Sequence, residues 1–251
     1  MRKIYYLLIA TLLISSSSFA QTNVYSTTSG ELLFQWGEMG FTSEYEEENP
    51  LEEQLNSPMR FTMFFHLGYN MHMDFNDRFG IYTGLAIRNV GLTSNERLLD
   101  SDGNIQDYKI LRRSYNLGLP IALKLGSFEN HSYIFIGGEV ELQFAYKEKY
   151  WDSHNRSGSK TKYDEWFGDQ TNTFVTAGFL GFQFPGGYNV KFKYYFTDFL
   201  NHDYKDPNNK IRDLRRYSSS NIMYISMSWQ FRNDEIYKKK NSAPKSETAY
   251  R

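Results

Sequence analysis

The pattern of hydrophobic positions is clearest between residues 115 and 125, where every odd position carries a large apolar side chain. The even positions carry small or polar residues and one proline, Pro120. A period of two is typical of a β-strand with one apolar face. The stretch is also as long as the about 9–11 residues that a tilted strand needs to cross a bilayer. It therefore predicts a membrane-spanning strand.

Eight segments alternate in this way and are predicted to be strands. They are 31–36, 59–71, 79–92, 115–125, 133–147, 173–184, 188–197 and 222–231. Short connections of turn residues follow the second, fourth and sixth segments, and long polar connections follow the other segments up to the seventh. This is the layout of outer-membrane barrels. The predicted fold class is all-β: an eight-stranded antiparallel up-and-down transmembrane β-barrel with short periplasmic turns and long extracellular loops.

Alternation alone does not show which face of the strands points outward, because a soluble lipocalin-like barrel alternates with its apolar face inside. Aromatic side chains recur near the strand ends on the apolar face, as in the interfacial girdles of membrane barrels. The last segment ends in Trp229-Gln230-Phe231, which is similar to the C-terminal aromatic signal of bacterial outer-membrane barrels. These features favour the membrane, with a soluble periplasmic ligand-binding barrel as the alternative.

Pro120 is the residue that fits a central strand least well, because proline cannot donate a hydrogen bond to the ladder. A local bulge would accommodate it there. Otherwise the strand ends early at this point.

The two ends of the 251-residue chain differ from the middle. Residues 1–20 combine Arg2 and Lys3 with a short apolar run and end in Ala20, which predicts a signal peptide cleaved before Gln21. The barrel is predicted over 21–231, and the polar residues 232–251 are predicted to form a disordered periplasmic tail. Cysteine is absent, which excludes disulfides. The formal net charge of −1 becomes −3 without Arg2 and Lys3, so nucleic acid is not expected as a partner.

Two stretches of the chain resemble a known family. The segment 117–124 and the segment 137–149, which begins with Gly137-Gly138-Glu139, resemble the PorT-like outer-membrane β-barrel proteins of Bacteroidota. The resemblance extends to the layout of the whole barrel, whereas motif matches are confined to 117–149. It implies the barrel fold and the outer membrane. It also implies a role associated with protein secretion, and the family has no catalytic residues to carry over.

If the apolar face meets lipid, a set of polar side chains lines the lumen. The predicted luminal network consists of Glu31, His66, Arg88, Lys124, Glu139, Glu141, Lys191 and Lys193. Charges in a closed interior must pair, because an isolated buried charge costs several kcal/mol. The favoured interpretation is structural, since the side chains of about eight strands fill the interior. A narrow gated pathway is the alternative.

The long connections contain candidate recognition residues. They are Trp151, Trp166, Tyr204, Arg215 and Arg216. Exposed Trp, Tyr and Arg side chains favour binding surfaces, although these aromatics could instead pack among themselves or extend the upper girdle. The connection after the first strand is strongly acidic between Glu44 and Glu53, which is compatible with a bound cation, a basic partner or a solvated face.

The chain shows no motif for an enzyme. Its five histidines are scattered, and neither GxSxG nor HExxH occurs. We predict no catalytic, cofactor or metal site. The predicted function is a non-enzymatic outer-membrane barrel with a structural or interaction role through its loops or rim, as an accessory of protein secretion or envelope assembly. Its expected partners are outer-membrane lipid and other envelope or secretion proteins. A narrow transport pore is the alternative function.

Overall fold

The structure is a computed structural model, and it describes residues 22–54, 57–99, 103–207 and 209–234. The predicted signal peptide lies outside these residues, as does the predicted tail beyond residue 234. Arg232, where the tail is expected to begin, is the last residue of the final strand. We call the end of the barrel with the short turns the lower end and the opposite end the upper end.

One antiparallel sheet of eleven strands makes up most of the described structure. Its strands are β1 (Asn23–Phe41), β2 (Glu53–Gln54), β3 (Arg60–Thr62), β4 (Leu67–Asp74), β5 (Phe79–Leu99), β6 (Ile105–Ser127), β7 (Ser132–Trp151), β8 (Lys160–Trp166), β9 (Phe174–Gln183), β10 (Tyr188–Tyr195) and β11 (Tyr217–Arg232). Because β1 pairs with both β4 and β11, the sheet closes into a ring. The ring contains β1, β4, β5, β6, β7, β9, β10 and β11. The predicted eight-stranded antiparallel up-and-down barrel is confirmed.

Three short strands complete the upper part of the barrel, and a few helical turns lie in the connections. β3 pairs with β1 above β4, β8 pairs with β7 above β9, and β2 pairs with β5. The helical elements in the described ranges are α1 (Ser43–Glu48) and 3₁₀ turns at Pro185–Gly187, Lys210–Arg212 and Leu214–Arg216. The last two turns belong to the connection between β10 and β11. We call residues 201–207 and 209–216 of this connection the cap.

The strands on one side of the barrel are longer than their hydrophobic pattern predicts. β5 has 21 residues and β6 has 23, so most of the long loop expected over 93–111 is a continuous hairpin. The expectation of a loop there is wrong. Above the apolar part of the wall the outward positions of these strands become polar as well, as at Asn95 and Lys109. The hydrophobic alternation therefore ends before the strand does.

The second predicted strand is interrupted. Residues 63–66 leave the ladder between β3 and β4, and Phe65 has a φ of 64°. Phe64 and Phe65 are both largely exposed on the outside of the wall. The backbone N–H of Glu31 donates to the carbonyl of His66 at 3.1 Å, which restores pairing where β4 begins.

Alternation places the apolar side chains of the strands on the outside of the barrel. In β4, Leu67, Tyr69 and Met71 are exposed, whereas Asn70 and His72 are buried. The apolar belt formed in this way consists of Val24, Leu67, Tyr69, Met71, Met73, Phe79, Leu85, Ile87, Leu117, Leu119, Ile121, Leu123, Leu125, Ile134, Ile136, Val140, Phe174, Leu180, Phe182, Tyr188, Phe192, Ile225, Met227, Trp229 and Phe231. The alternative barrel with its apolar face inside does not describe this chain.

Pro120 lies inside β6 without ending the strand. The pairs that flank it, at Thr83 and at Ala86, keep one register, and two pairs between them are missing from the ladder to β5. The hydroxyl of Thr83 donates to the carbonyl of Pro120 at 2.8 Å. The nearest register shift of β6 lies next to Tyr115, against β7. Neither expectation for Pro120 is correct, because a two-pair gap in the ladder replaces both the bulge and the strand end.

The interior is filled in layers. A lower aromatic layer contains Tyr82, Ala122, Tyr133, Phe135 and Phe179. An upper apolar layer contains Leu33, Phe41, Val90, Leu92, Leu98, Tyr146, Val175, Ala177, Tyr195, Phe199, Leu200, Leu214, Tyr217, Ile222 and Tyr224. Buried charged side chains occupy the space between these layers and above them.

Candidate functional site

Six charged side chains meet in the middle of the interior. This central network consists of Glu31 on β1, Arg88 on β5, Glu139 and Glu141 on β7, and Lys191 and Lys193 on β10. Each is buried at an inward position of its strand. Three carboxylates face three cations, so the formal charges of the network balance.

Arg88 joins two sides of the central network. Its Nη2 lies 3.3 Å from the Glu31 carboxylate, and its Nη1 pairs with Glu139. Glu31 has a second cationic partner, because Lys191 Nζ lies 3.1 Å from Glu31 Oε1. The Glu139 carboxylate occupies space over Gly118, where an added Cβ would lie 2.0 Å from its Oε1. A larger residue at 118 would therefore have to displace the Glu139 carboxylate from its ion pair.

Glu141 has hydrogen-bond partners at both of its carboxylate oxygens. Its Oε2 accepts hydrogen bonds from Asn116 Nδ2 at 2.7 Å and from the Tyr195 hydroxyl at 2.9 Å. Its Oε1 pairs with Lys193, whose Nζ also lies 2.6 Å from Glu139 Oε2. Because each charge has an opposite charge in contact, the desolvation cost of the buried ions is offset.

Lys124 is a member of the predicted network that the structure places elsewhere. It lies at the lower end and pairs with Asp74, a residue that the sequence analysis does not select. Its Nζ is 4.5 Å from the centre of the Phe128 ring and 5.1 Å from that of Tyr133. Lys124 therefore belongs to a separate ion pair beneath the aromatic layer.

His66 also makes its hydrogen bonds outside the central network. Its Nδ1 accepts the backbone N–H of Asn89 at 3.2 Å, and its Nε2 lies 2.7 Å from the Thr62 hydroxyl. Since Nδ1 is an acceptor, the neutral ring carries its proton on Nε2. Through these hydrogen bonds the His66 side chain links β5 to the break between β3 and β4. Its role is therefore structural.

A second buried network lies near the upper end and is absent from the sequence-based set. Arg112 Nε is 3.1 Å from Glu148, and its Nη1 is 3.3 Å from Glu96. Arg216 Nη2 lies 2.8 Å from Glu96, and the Tyr217 hydroxyl donates to the same carboxylate at 2.7 Å. This upper network joins the barrel wall to the cap.

The upper network could have been found from an extended strand pattern. Ser94, Glu96 and Leu98 share one parity on β5, and Arg112 and Ser114 share one on β6. The inward alternation thus continues through positions that carry charges. A search for large apolar residues does not detect such positions.

The cap folds into the upper mouth of the barrel. Leu214 and Arg216 are buried, and the Arg212 guanidinium lies 3.4 Å from the centre of the Tyr163 ring. Lys210 Nζ lies 2.6 Å from Glu52 in the connection after β1. The cap is therefore tied to the connections on both sides of it.

The Glu52 carboxylate illustrates the electrostatics of this contact. Burial raises its pKa, but hydrogen bonds from Lys210, from the Tyr45 hydroxyl and from the backbone N–H of Leu99 outweigh burial. The pKa of Glu52 is consequently held below its ordinary value. This member of the acidic run already has a cationic partner within the chain.

The five predicted loop recognition residues differ in exposure. Trp166 is 66% exposed and Arg215 is exposed, while Tyr204 is half-buried. Trp151 and Arg216 are buried, so their side chains are not offered to a partner as the sequence suggests. Trp151 lies under two cationic side chains, and Arg216 is held by the upper network.

Little free space remains beside the central network. Between the central network and the lower aromatic layer is a cavity of about 20 Å³, bordered by Glu31, Arg88 and Phe179. Such a volume holds about one water molecule. Among the described residues, no group of three or more His, Asp or Glu side chains is arranged to hold a metal ion. Within the same part of the chain, the helices are too short or too polar to cross a membrane.

Comparison with protein-family models and with curated proteins found no match. Among solved structures, the chain is similar to Neisserial surface protein A, with 8% identity, 83% of this chain and 97% of that chain covered, and a TM-score of 0.40. It is also similar to Ail, the attachment invasion locus protein of Yersinia pestis, with 8% identity, 82% and 97% coverage and a TM-score of 0.34. The outer membrane protein OprG from Pseudomonas aeruginosa has 13% identity, 83% and 95% coverage and a TM-score of 0.33. At such low identity these similarities assign no role to the chain.

Proposed function

We propose that this protein is a non-enzymatic outer-membrane β-barrel that acts through its upper surface, as a structural or interaction component of the cell envelope. The observation that carries the proposal is the apolar belt around an interior filled with ion pairs. Water is a poor solvent for such a belt, because each fully exposed large apolar side chain forgoes about 1.5–3 kcal/mol of burial. A bilayer covers the belt at no such cost.

The lower edge of the apolar belt supports an orientation with the short turns on the periplasmic side. Tyr188 and Trp229 stack with ring centres 4.9 Å apart, and Trp229 and Phe231 stack at 5.4 Å. The Trp229 Nε1–H donates to the carbonyl of Gly186 at 3.1 Å. Gly186 and Gly187 have φ values of 82° and 88°, which suit glycine in a tight turn. Aromatic rings beside a short turn fit the periplasmic interface of a membrane barrel.

The finer assignment within our proposal is a PorT-like barrel that assists protein secretion or envelope assembly. The residues that carry the family resemblance form the β6–β7 hairpin. Gly118, Glu139 and Glu141 of that hairpin belong to the central network or make room for it. The resemblance thus includes residues that build the central network. The proposed partners are outer-membrane lipid and other envelope or secretion proteins.

Fractionation tests the proposed location. We expect the mature chain in the outer membrane, and we expect the unboiled protein to migrate differently from the boiled protein on a gel. A closed barrel stays compact in detergent until heated, which causes the shift. Recovery of the protein in the soluble periplasmic fraction without a shift would refute the proposal.

Crosslinking tests the proposed interaction role. A photo-crosslinking residue at position 215 in the cap should capture envelope proteins in living cells. The same residue at position 78, in a short turn at the lower end, is the control for the opposite side of the membrane. Equal capture at both positions, or at neither, contradicts an interaction through the upper surface.

A further inference from the structure

The outer face of β6, β7 and β8 above the apolar belt is strongly basic. This basic wall consists of Lys109, Arg113, Lys147, Lys149, Arg156, Lys160 and Lys162. Its outward direction follows from strand alternation, since the neighbouring residues Arg112 and Glu148 are buried in the upper network. All seven basic residues are at least partly accessible to solvent.

The charges of the basic wall are not balanced by the protein. None of its seven cations lies within ion-pair distance of a carboxylate of another described residue. Arg113 stands directly opposite Lys147, and Lys149 stands directly opposite Lys162. Two acidic residues share this face: Asp164, opposite Lys147 on β8, and Asp107 on β6, which pairs with Arg97. Like charges opposite one another destabilise a sheet, so this arrangement indicates an external anion.

The basic wall begins where the apolar belt ends. Leu117, Leu119 and Ile121 of β6 are 38–65% exposed, and Tyr115 follows them on the same face. Arg113 is four residues above Leu117, which is about 13 Å along a tilted strand. The polar headgroup layer of a bilayer lies directly beyond its hydrocarbon core. The wall is therefore at the level of the headgroups of the outer leaflet.

A recess at the edge of the basic wall adds shape to this charge. Its volume is about 280 Å³, and its lining includes Arg60, Lys109, Arg113 and Arg156 together with the apolar side chain of Leu111. Arg60 is fixed in place by a 2.6 Å hydrogen bond from its Nη2 to a neighbouring asparagine on β5. The recess thus offers several cationic donors beside an apolar surface, a combination suited to a phosphorylated amphiphile.

We infer that the basic wall and its recess bind the phosphorylated headgroup of an anionic glycolipid of the outer leaflet, of the bis-phosphorylated lipid A type. The inference rests on the proposed function, because it requires the upper end to face the cell exterior. A lipid satisfies both halves of the surface at once, with acyl chains on the belt and phosphates on the wall. A soluble polyanion would satisfy the wall only.

Lipid binding to the protein extracted from outer membranes tests this inference. We would measure retention of bis-phosphorylated lipid A and of the same lipid without phosphates by native mass spectrometry, at low and at high salt. The wild-type protein should retain the phosphorylated lipid selectively, and salt should weaken retention. Arg113→Gln with Lys149→Gln should reduce retention about tenfold, because charge-assisted hydrogen bonds are lost. Arg78→Gln with Lys205→Gln removes two exposed charges elsewhere and should leave retention unchanged.

Several outcomes overturn the inference. One is that the wild-type protein retains the phosphate-free lipid as well as the phosphorylated lipid. Another is that both double variants lose lipid retention equally. The third is that a soluble sulfated polysaccharide binds to the basic wall while lipid A does not bind. The gel shift is measured first for every variant, so that a folding defect is recognised. If the wild-type chain is absent from the outer membrane, the proposed function fails. If it is present there without lipid selectivity, only this inference fails.

Discussion

At the scale of single residues, the interior of this barrel depends on how buried charges are neutralised. Arg88 contacts carboxylates from two different strands, Glu31 on β1 and Glu139 on β7. A buried ion pair adds little stability compared with an apolar pair, but removing one partner leaves an uncompensated charge. The charge of every residue in the central network is therefore constrained by its partners.

Neutralising two carboxylates of the central network should lower the unfolding temperature of the barrel. In Glu139→Gln with Glu141→Gln, Lys193 loses both of its ion-pair partners and Arg88 keeps only Glu31. Breaking buried pairs of this kind costs about 3–5 kcal/mol. Thermal unfolding followed by circular dichroism measures the effect.

The control for this prediction is Glu44→Gln with Glu46→Gln, which changes two exposed carboxylates of α1. It should melt like the wild type. If the network variant unfolds at the same temperature as the wild type, the central network does not have this structural role.

Gly118 offers a test of packing around the same carboxylate. In Gly118→Ala the new Cβ would meet Glu139 Oε1, so the ion pair has to move. Overpacking of this kind costs about 1–3 kcal/mol. Gly30→Ala is the matched control, because its Cβ would find no atom within 4 Å. Urea unfolding of both variants measures the difference, and equal midpoints would contradict the close approach.

At the scale of elements, the cap converts an open barrel mouth into packed structure. It contributes Leu214 to the upper apolar layer and Arg216 to the upper network. Lys210 fastens it to the connection after β1. We expect the cap to open as a unit, since these contacts join one short connection to the barrel wall and to its neighbouring connection.

Adjacent arginines allow a sharp test of how the cap is held. Arg216→Gln removes one of the two cationic partners of Glu96, the one that belongs to the cap, and should increase hydrogen exchange throughout the cap. Arg215→Gln, one position earlier, changes an exposed side chain and should leave exchange nearly unchanged. Hydrogen exchange read by mass spectrometry compares the two. If both variants exchange alike, the buried contact does not hold the cap.

The contact between Glu52 and Lys210 should make the cap sensitive to acid. Because the folded pKa of Glu52 is lowered, its contribution to stability is fully present above the unfolded value of about 4.3. The contribution is lost as the pH falls through the folded value. We expect the protection of the cap amides, measured relative to their intrinsic exchange rates, to fall below about pH 4.3 in the wild type.

Glu52→Gln isolates this effect from other titrations. The variant should have a looser cap at neutral pH and a smaller change on acidification, because the glutamine side chain does not take up a proton in this pH range. Glu53→Gln, an exposed neighbour, is the control. Equal pH profiles for Glu52→Gln and the wild type would rule out Glu52 as the titrating group.

At the scale of the whole molecule, the apolar belt and the filled interior point to a membrane barrel without an open channel. The layers of side chains block the lumen at three heights: the aromatic layer, the central network and the upper layer under the cap. The narrow transport pore is the weaker alternative for this reason. Space for about one water molecule at Glu31 is not a pathway.

Conductance measurements test this conclusion. The wild-type protein in planar bilayers should give no channel steps, because ions would have to displace paired charges. A variant without residues 203–213 of the cap is the comparison, and it should stay closed since the central network lies below the cap. Regular single-channel steps in the wild type would favour transport over the proposed function.

The sequence by itself determined the wall of this barrel. Alternation along β4, β6, β10 and β11 is a local property, so it predicts the strands and separates their apolar face from their polar face without knowledge of the other strands. It also selects the six inward charges of the central network. Their strands carry them to the same side of the wall whatever the pairing.

Only the tertiary structure decided which charges meet. Glu31 and Lys191 are 160 residues apart, and their contact depends on the register with which β1 and β11 close the ring. Arg215 and Arg216 are chemically identical neighbours, yet only Arg216 is buried, because the cap turns it towards Glu96. Lys124 shares the inward parity of the network and still pairs elsewhere, since parity fixes the face of a residue but not its height or the strand opposite it. Closure, height and cap folding are long-range properties that no local pattern records.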